Sequence, residues 1–547
     1  MTVPEPKSRT EQLDIRQKTD AILSGSRPAD KDYPYIPPDY KVRFPHIGTD
    51  RQLFLDNFIL DHLDRVRREL CTPQKAPEPL LSFTDLPWER VQFNPGTAGV
   101  VHDPDDGLFK MWYWQGLAGE PFNTSQVLCY AESRDALHWE KPLRDDCLPF
   151  QDHTTTNIVH PDVSQSGLAL NHDRSDPERK YLLVNWPPKT AARRPPGSPR
   201  LSSVDASPDG IHWHNISAES PRPHHHEQKI IWDESIQRYI GYSQYSHHQD
   251  FLYRKRQIGR QESPDFINWS PKEVVLSADW DANLPPDLEM HDMSVRIVGG
   301  LYIGLTSEFM AEPFWQERAG HNWRDQAFSR LGLYTSRDGK RWHRVGGPGP
   351  WVDTGSPGDQ DYGFICFTPA GELVHNGKMV IPYSGNPQKQ SWHTQEPPSP
   401  LYPQEKYRLQ HDAWHARQAL QGDSRLKRAV AGLILREDGW AKLVPKYETG
   451  QVYTKQFVFE GDALRVNADC SYGYVQVELL DPTFTPYAGF SAELCDPLIG
   501  PPDQIWHTVS WQGKTDLRTL WNKPVRIRFT IREASIYAFQ FFHSMPE

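Results

Sequence analysis

The chain of 547 residues has only six cysteines, and their positions show neither metal-type spacing nor a dense disulfide framework. Scattered thiols of this kind favour a reducing compartment. No stretch approaches 18 consecutive apolar residues, so no membrane-spanning helix is predicted. The N-terminus lacks the apolar core of a signal peptide, and a cytoplasmic protein is therefore the simplest expectation.

Runs of lysine and arginine are also missing, and the net charge is −11 at pH 7. This combination argues against the basic surface that nucleic-acid binding needs, and no nucleic-acid or membrane partner is expected. Hydrophobic residues make up 37% and charged residues 24%, which is typical of globular rather than disordered chains. Aromatic residues reach 12%, with 49 prolines, which favours an all-β fold with many loops.

What the chain does contain is a short phrase, S-x-D-(G)-x-x-W, that recurs four times. The copies start at Ser133, Ser207, Ser263 and Ser336 and end at Trp139, Trp213, Trp269 and Trp342. Asp-Gly favours a tight turn, because glycine adopts positive φ and the Asp side chain accepts hydrogen bonds from nearby backbone. A β-rich run precedes each copy. The repeat therefore predicts one blade of a β-propeller per copy.

Five blades are predicted, over residues 93–139, 157–213, 226–269, 289–342 and 361–440. The fifth ends in a degenerate copy of the phrase, Glu437-Asp438-Gly439-Trp440. The strand signal at residues 53–60 is a candidate for closing the ring on the last blade. From about residue 450 polar and apolar residues alternate, which is typical of antiparallel sheet with one buried face. The predicted domains are an N-terminal extension (1–49), a five-bladed β-propeller (50–447) and a C-terminal β-sandwich (448–547).

The acidic residues fall into two classes by their position in a predicted blade. One class, with Asp103, Asp173 and Asp233, lies just before the second strand. The matching positions in the last two blades are Gly299-Gly300 and Asn376-Gly377, which are hairpin-turn residues. We therefore interpret this class as structural.

The other class lies about ten residues earlier, where a propeller brings remote side chains to one axial pocket. The candidate catalytic residues are Glu289, Asp292, Asp361, Glu227 and, on the first strand signal, Asp56. Carboxyls in one partly apolar pocket push one another's pKa apart, so that one serves as acid and another as base or nucleophile. Cleavage of a glycosidic bond requires such a pair. The alternative is an ion-pair network with arginines.

Polar and aromatic residues near these acids are candidates for binding a sugar. They are Asn94, Trp112, Tyr113, Trp186, His226, His291 and Tyr362. The histidines at 224–226, 247–248 and 291 raise the question of a metal. Consecutive strand residues alternate faces, however, and no HExxH or CxxC motif is present. We therefore expect no zinc site and no cofactor. A structural cation or a sugar hydroxyl is the favoured partner of these histidines, and whether a structural metal is bound is left open.

The recurring phrase, with Phe109-Lys-Met-Trp112-Tyr113, resembles bacterial proteins described as glycoside hydrolase family 32-like, over about residues 50–545. That group is similar to the five-bladed propeller superfamily of families 32, 43 and 68. Glu289-Met-His-Asp292 resembles the Glu-Cys-Pro-Asp motif of family 32, whose Glu is the general acid, which implies that role for Glu289.

The chain also departs from the pattern of family 32. The nucleophile motif Asn-Asp-Pro-Asn-Gly has no clear counterpart, since the first blade has Phe93-Asn94-Pro95-Gly96 instead. The Arg-Asp-Pro motif has only a partial counterpart, Arg174-Ser-Asp176-Pro177, which has one additional residue. The leading hypothesis is a glycoside hydrolase acting on a small carbohydrate. The alternatives are a non-catalytic carbohydrate-binding propeller and a sugar-active lyase, and homo-oligomerisation is left open.

Overall fold

The structure is a computed structural model that describes residues 44–83, 85–90, 96–117, 126–161, 163, 166–185, 201–221, 229–245, 255–286, 288–310, 328–357, 359–366, 368–369, 371, 373–387 and 429–544. The described residues from Ile47 onwards belong to one compact unit. The described residues are all-β, with three 3-10 helices at Pro177–Arg179, Ala278–Trp280 and Arg518–Leu520. None of the described helices has the length and apolar character needed to cross a membrane.

Seven short strands precede the first repeat. They are β1 (His46–Gly48), β2 (Gln52–Leu53), β3 (Leu60–Asp64), β4 (Val66–Leu70), β5 (Gln74–Lys75), β6 (Leu81–Ser82) and β7 (Glu89–Arg90).

Five repeat units in the middle of the chain, which we call repeat sheets 1 to 5, share one design, in which neighbouring strands pair antiparallel. Repeat sheet 1 contains β8 (Thr97–His102), β9 (Phe109–Leu117), β10 (Gln126–Ser133) and β11 (Trp139–Glu140), with β12 (Ile158–His160) and β7 at its margins. Repeat sheet 2 contains β13 (Gly167–Leu170), β14 (Tyr181–Asn185), β15 (Leu201–Ser207) and β16 (His214–Pro221). Repeat sheet 3 contains β17 (Lys229–Asp233), β18 (Arg238–Tyr245), β19 (Gln257–Ser263) and β20 (Glu273–Leu276).

The last two repeats are joined into one larger sheet by the parallel pairing of Ser329 with Phe364. Repeat sheet 4 contains β21 (Glu289–Val298), β22 (Leu301–Met310), β23 (Phe328–Ser336) and β24 (His343–Arg344). Repeat sheet 5 contains β25 (Phe364–Cys366), β26 (Leu373–His375), β27 (Lys378–Asn386) and β28 (Ala429–Arg436). Its outermost strands are β5 and β6, which come from the N-terminal part of the chain.

Hydrophobic clusters join each repeat sheet to the next. Leu168 and Tyr181 of repeat sheet 2 pack with Trp112 of repeat sheet 1, and further clusters link sheets 2 and 3, 3 and 4, and 4 and 5. Val380 and Val430 of repeat sheet 5 share a cluster with Phe109 of repeat sheet 1. The series of contacts therefore returns from the last repeat sheet to the first.

Tyrosine hydroxyls add polar links between neighbouring repeat sheets. Each tyrosine lies near the start of a second strand and donates to a side chain just after, or at the end of, the first strand of the preceding sheet. The pairs are Tyr181 with Asp103, Tyr239 with Asn171 (2.7 Å) and Tyr302 with Asp233. The structural interpretation of Asp103 and Asp233 is therefore confirmed, because each accepts a buried hydrogen bond from the next sheet.

The recurring phrase forms a turn in all four copies. The Asp carboxylate accepts from two backbone N–H groups that follow it, as in Asp209 with Ile211 (2.8 Å) and His212 (2.9 Å). The next residue has positive φ: Ala136 at 64°, Gly210 at 82°, Phe266 at 67° and Gly339 at 67°. Two copies thus place a side chain where glycine is usual, and in the first three copies the final tryptophan donates Nε1–H to the carbonyl of this residue.

Most of the remaining strands form two sheets with strands from the start of the chain, and Val458–Phe459 pairs with β1 in a separate two-stranded sheet. The remaining strands are β29 (Ala441–Pro445), β30 (Thr449–Thr454), β31 (Val458–Phe459), β32 (Ala463–Asp469), β33 (Tyr474–Leu480), β34 (Trp506–Thr508), β35 (Arg526–Arg532) and β36 (Ser535–Phe542). Terminal sheet 1 has the order β34-β32-β36-β29-β4 with β2 beside β36, and terminal sheet 2 has the order β3-β30-β35-β33. The two sheets share one hydrophobic core that contains Val466, Phe539, Val452 and Phe529.

The predicted closing strand at residues 53–60 is wrong. Leu53 pairs with Ala538 and Leu60 pairs with Thr454, so both ends of that segment belong to the terminal sheets. Instead, Gln74–Lys75 and Leu81–Ser82 pair with β28 of repeat sheet 5. The reason is that residues 53–60 supply apolar side chains such as Phe54 and Ile59 to the core of the terminal sheets.

Candidate functional site

Glu289, the first residue of β21, marks one end of the repeat sheets. A single row of paired residues crosses repeat sheets 4 and 5 at this level, reading Glu289, Phe309, Ser329, Phe364 and Asn386. Asp361 precedes Phe364 by three residues, so Glu289 and Asp361 lie at the same end of these sheets. We call this end the entrance.

The first strands of repeat sheets 1 and 3 also start at one common level. Lys229, the first residue of β17, donates from Nζ to the backbone carbonyl of Thr97, the first residue of β8, at 3.2 Å. Thr97 in turn borders the same small gap as Tyr383, whose hydroxyl donates to Asp361. The starts of β8 and β17 therefore belong to the entrance as well.

A cavity of about 300 Å³ lies between these first strands. It is lined by residues 98–102, 168–170 and 229–232, together with Gly371. Repeat sheets 1, 2 and 3 thus contribute their first strands to one shared space, and Lys229 lies at the entrance end of it.

A β-bulge lies directly after Glu289. Met290 pairs with Glu308 and Met293 pairs with Thr306, so His291 and Asp292 together face the single residue Ser307. Such a bulge redirects side chains and is frequent beside active sites. The side-chain amide of Gln244 in repeat sheet 3 donates to the carbonyl of His291 at 3.1 Å and fixes the bulge to the neighbouring sheet.

The buried side chains around the bulge form what we call the entrance cluster: Glu289, Arg256, His291, Phe309 and Phe364. Arg256 Nε lies 3.6 Å from Glu289 Oε2, and its guanidinium lies 4.5 Å from the ring centroid of Phe309. The His291 ring stacks on Phe309 at 5.8 Å and meets the Phe364 ring edge-on at 6.0 Å. None of the five is more than 3% exposed.

Asp292, the second acid of the bulge, is also buried. Its Oδ1 lies 4.0 Å from His291 Nδ1. Two carboxylates and one imidazole are thus concentrated within four residues of one strand, next to a guanidinium and an aromatic wall. Burial together with specific charged partners is the combination that marks candidate catalytic groups.

Asp361 has a different environment from Glu289. Its Oδ2 accepts a hydrogen bond from Tyr383 at 2.8 Å and lies 2.6 Å from Lys75 Nζ. Burial, followed by the charge of Asp361, raises the pKa of Tyr383 well above its usual range, which keeps that hydroxyl a donor. Asp361 is only 1% exposed, so both partners hold it inside the protein.

Asp56 lies outside the entrance. Its carboxylate binds Arg337, at the turn of the fourth phrase, through Nε at 2.7 Å and Nη2 at 3.0 Å. Partial burial would raise the pKa of Asp56, but the hydrogen bonds and charge of Arg337 hold it below the usual value. The predicted catalytic role is not supported, because this paired carboxylate joins the terminal strands to repeat sheet 4.

The predicted stacking of Trp112 and Tyr113 on a sugar is contradicted by their burial, since both side chains are 0% exposed. Trp112 Nε1 donates to the carbonyl of Gly210 in the turn of the next repeat sheet, at 2.7 Å. The Tyr113 hydroxyl donates to Glu89 Oε1 at 2.8 Å. These two aromatic residues therefore pack repeat sheet 1 against its neighbours and do not face a ligand.

Tyr362 remains half-buried beside Asp361 at the entrance. Four other predicted site residues, Asn94, Trp186, His226 and Glu227, lie outside the described residues. The same holds for the histidine pair at 247–248. In the described part of the chain, no group of three or more His, Cys, Asp or Glu side chains is arranged to hold a metal ion.

Sequence reasoning missed Arg256, Gln244, Lys75 and Tyr383. Arg256 comes directly before the strand β19, but nothing in the sequence pairs it with Glu289, which is 33 residues away in another sheet. Lys75 is separated from Asp361 by 286 residues. Both pairs arise only when the repeat sheets are brought together.

No family model and no curated protein matches the chain. Solved structures that it resembles include an N-acetylgalactosamine deacetylase from F. plautii in complex with blood group B trisaccharide, at 16% identity and a TM-score of 0.42, covering 69% of this chain and 97% of the other. A GH32 β-fructofuranosidase from Bombyx mori has 12% identity and a TM-score of 0.36, with 86% and 95% covered. A thermostable family-43 glycoside hydrolase has 12% identity and a TM-score of 0.35, with 54% and 86% covered.

These neighbours include glycoside hydrolases of families 32 and 43, the group that the sequence motifs resemble. Their identities are all low and their TM-scores are all below 0.5. Likenesses this distant do not carry an activity from one protein to another.

Proposed function

We propose that the five repeat sheets are the blades of a five-bladed β-propeller and that the terminal sheets form a β-sandwich. The return of the inter-sheet contacts from repeat sheet 5 to repeat sheet 1 supports a ring. The cavity between the first strands of three sheets supports an axis that those strands surround. The single core shared by the terminal sheets supports two layers packed face to face.

We further propose that the protein hydrolyses a glycosidic bond in a small carbohydrate at the entrance, with Glu289 as the general acid. The observation that carries this proposal is the bulge at the start of β21, where Glu289, whose carboxylate lies beside Arg256, is followed within three residues by His291 and Asp292. A paired set of carboxyls, with one donating and one accepting a proton, is what glycoside cleavage requires.

In the proposed reaction, Glu289 gives its proton to the glycosidic oxygen while the bond from that oxygen to the anomeric carbon breaks. We assign the role of the second carboxylate to Asp292, which lies three residues after Glu289 on the same strand. It takes the proton of the water that adds to the anomeric carbon in an inverting enzyme, or forms the glycosyl-enzyme bond in a retaining one. Separations of about 6.5–9.5 Å and about 5–5.5 Å between the carboxyls correspond to these two outcomes.

The aromatic wall of the entrance cluster has a physical role in this proposal. Phe309 and Phe364 contact the His291 ring from two sides, and the burial of Glu289 excludes water from its carboxyl. Exclusion of water strengthens every charge interaction in the site. Arg256 balances the ionised form of Glu289 after proton transfer, since its Nε lies 3.6 Å from the carboxylate.

The test is Glu289→Gln assayed on aryl glycosides with good and poor leaving groups. Loss of a general acid costs about 10²–10⁴-fold in kcat/KM for poor leaving groups, and much less for 2,4-dinitrophenyl glycosides, which need little protonation. Glu234→Gln is the matched control, because Glu234 lies at a turn after β17 with a side chain 74% exposed. Equal losses on both kinds of substrate would contradict the acid role of Glu289.

Other results of the same assay separate the alternative functions. Binding of glycans by wild-type protein without turnover of any substrate would indicate a carbohydrate-binding propeller. An unsaturated product that absorbs in the ultraviolet would indicate a lyase, since hydrolysis adds water and forms no double bond.

A further inference from the structure

Asp361 is held by two side chains from distant parts of the chain. Tyr383 of β27 donates to its Oδ2 at 2.8 Å, and Lys75 Nζ of β5 lies 2.6 Å from the same oxygen. Lys75 Nζ also donates to the backbone carbonyl of Asp353 at 3.0 Å. We call Asp361, Lys75 and Tyr383 the Asp361 clamp.

The second oxygen of Asp361 is enclosed as well. A Cβ atom built on Gly355 would lie only 2.4 Å from Asp361 Oδ1, so the backbone at Gly355 closes that side. Lys75 and Tyr383 occupy one oxygen of Asp361 and the Gly355 backbone encloses the other, so neither oxygen is available to a sugar ring or an attacking water. A base or nucleophile must contact the reacting atoms, and this carboxylate is enclosed by the protein instead.

The residues on either side of Asp361 are less buried than Asp361 itself. Gln360 and Tyr362 are both partly exposed, while Asp361 between them is buried. The Gln360 side-chain oxygen is itself buried, and it accepts no hydrogen bond from the described residues. A buried acceptor of this kind gains most from a donor that arrives with a ligand, and sugar hydroxyls are such donors.

We infer that Asp361 is a positioning residue, and that the Asp361 clamp holds the turn at 359–363 so that Gln360 and Tyr362 bind the hydroxyl-bearing face of the substrate sugar. The assignment rests on the proposed function, and it gives the N-terminal strand β5 a part in the site. It also replaces the catalytic role predicted for Asp361, because Lys75, Tyr383 and the Gly355 backbone enclose that carboxylate.

The first experiment tests the clamp without any sugar. The amides of Asp359, Tyr362 and Gly363 are hydrogen-bonded to carbonyls within or next to the turn. In Lys75→Met, hydrogen exchange at these amides should be about 10-fold faster than in wild type, because loss of the ion pair favours local opening. Lys340→Met, which removes an exposed lysine that pairs with Glu273, is the matched control and should leave the turn unchanged. Unchanged exchange in Lys75→Met would overturn the clamp.

The second experiment tests the sugar contact. With the aryl glycoside that wild type hydrolyses fastest, Gln360→Ala and Asp361→Asn should each raise KM about 10-fold with little change in kcat, the pattern of lost substrate binding. A fall in kcat of about 100-fold or more in Asp361→Asn, restored by azide or formate, would show that Asp361 reacts directly and would overturn the positioning role.

The two experiments separate this inference from the proposed function. Faster exchange in Lys75→Met, together with no hydrolysis and no binding of any glycoside by wild type, would leave the clamp standing. The proposed function would then fail, and the role of Gln360 would fail with it. Normal hydrolysis with unchanged KM in Gln360→Ala would overturn the inference alone.

Discussion

Lys229 of repeat sheet 3 reaches Thr97 of repeat sheet 1, with its Nζ 3.2 Å from the Thr97 carbonyl oxygen and 6.0 Å from the ring centroid of Trp114. Repeat sheet 2 separates these two sheets in the series of contacts. A side chain that joins them therefore crosses the space between the first strands, and it ties two non-adjacent sheets together at the entrance.

Replacing Lys229 by Met keeps the aliphatic stem but removes the ammonium group. Hydrogen bonds to charged groups contribute about 1.5–3 kcal/mol, so the free energy of unfolding should fall by about that amount. Denaturant titration checks the value, and Lys229→Arg should lose less. A Lys229→Met variant as stable as wild type would mean that the hydrogen bond from Lys229 to Thr97 contributes nothing to the free energy of unfolding.

Tyr181→Phe removes one of the hydroxyl links between neighbouring repeat sheets. Asp103 keeps Lys110 and Lys180 at 2.7 Å each but loses one buried donor, so we expect a loss of about 1–3 kcal/mol. Burial alone would raise the pKa of Asp103, but hydrogen bonds from Lys110, Lys180 and Tyr181 hold it well below the usual range. Thermal unfolding measures the effect, and Tyr472→Phe, at a residue 89% exposed, should change stability by less than about 0.5 kcal/mol.

Gly210→Ala tests the link between a turn and the neighbouring sheet. Gly210 has φ of 82°, and a Cβ there would lie 2.4 Å from Trp112 Cζ2. The matched variant is Gly107→Ala, where φ is 71° and no heavy atom lies within 4 Å. Backbone strain of about 1 kcal/mol should appear in both variants, and Gly210→Ala should lose at least about 2 kcal/mol more through the clash. Equal losses in the two variants would contradict the close contact with Trp112.

Asp209 links stability to pH. Partial burial would raise its pKa, but the backbone and ring of His212 and the N–H of Ile211 lower it to about 2. Because the folded-state pKa lies below the unfolded value of about 3.9, this stabilisation is complete above pH 4 and is lost as the pH falls towards 2. In Asp209→Asn, the midpoint of thermal unfolding should therefore change less between pH 4 and pH 2 than it does in wild type. An identical pH dependence would show that Asp209 does not contribute to acid unfolding.

The turns of the recurring phrase could be predicted from the sequence because all their determinants lie within seven residues. The Asp carboxylate and the N–H groups that it binds are local, as Asp209 and His212 show. The interpretation of Asp103 and Asp233 as structural residues was correct for a similar reason, since hairpin-turn residues occupy the matching positions in other repeats.

The site was only partly predictable. The sequence predicted roles for Glu289 and Asp292 because a compact motif contains both acids, but it could not distinguish their surroundings from those of Asp361 or Asp56. That distinction depends on partners far along the chain, namely Lys75 for Asp361 and Arg337 for Asp56. The sequence placed Trp112 on an aromatic strand. Its burial, however, depends on the turn at Gly210 in another repeat sheet, whose carbonyl accepts from Trp112 Nε1–H.

By itself, the sequence determined that this protein is all-β, that its middle part is built from one repeated unit, and that acids recur near the starts of first strands. Those properties follow from local turn chemistry and from alternation along single strands. Only the tertiary structure decided which cation lies beside each acid, and which N-terminal strands complete repeat sheet 5. Side chains hundreds of residues apart come into contact only after the sheets have packed, and no local sequence pattern predicts those contacts.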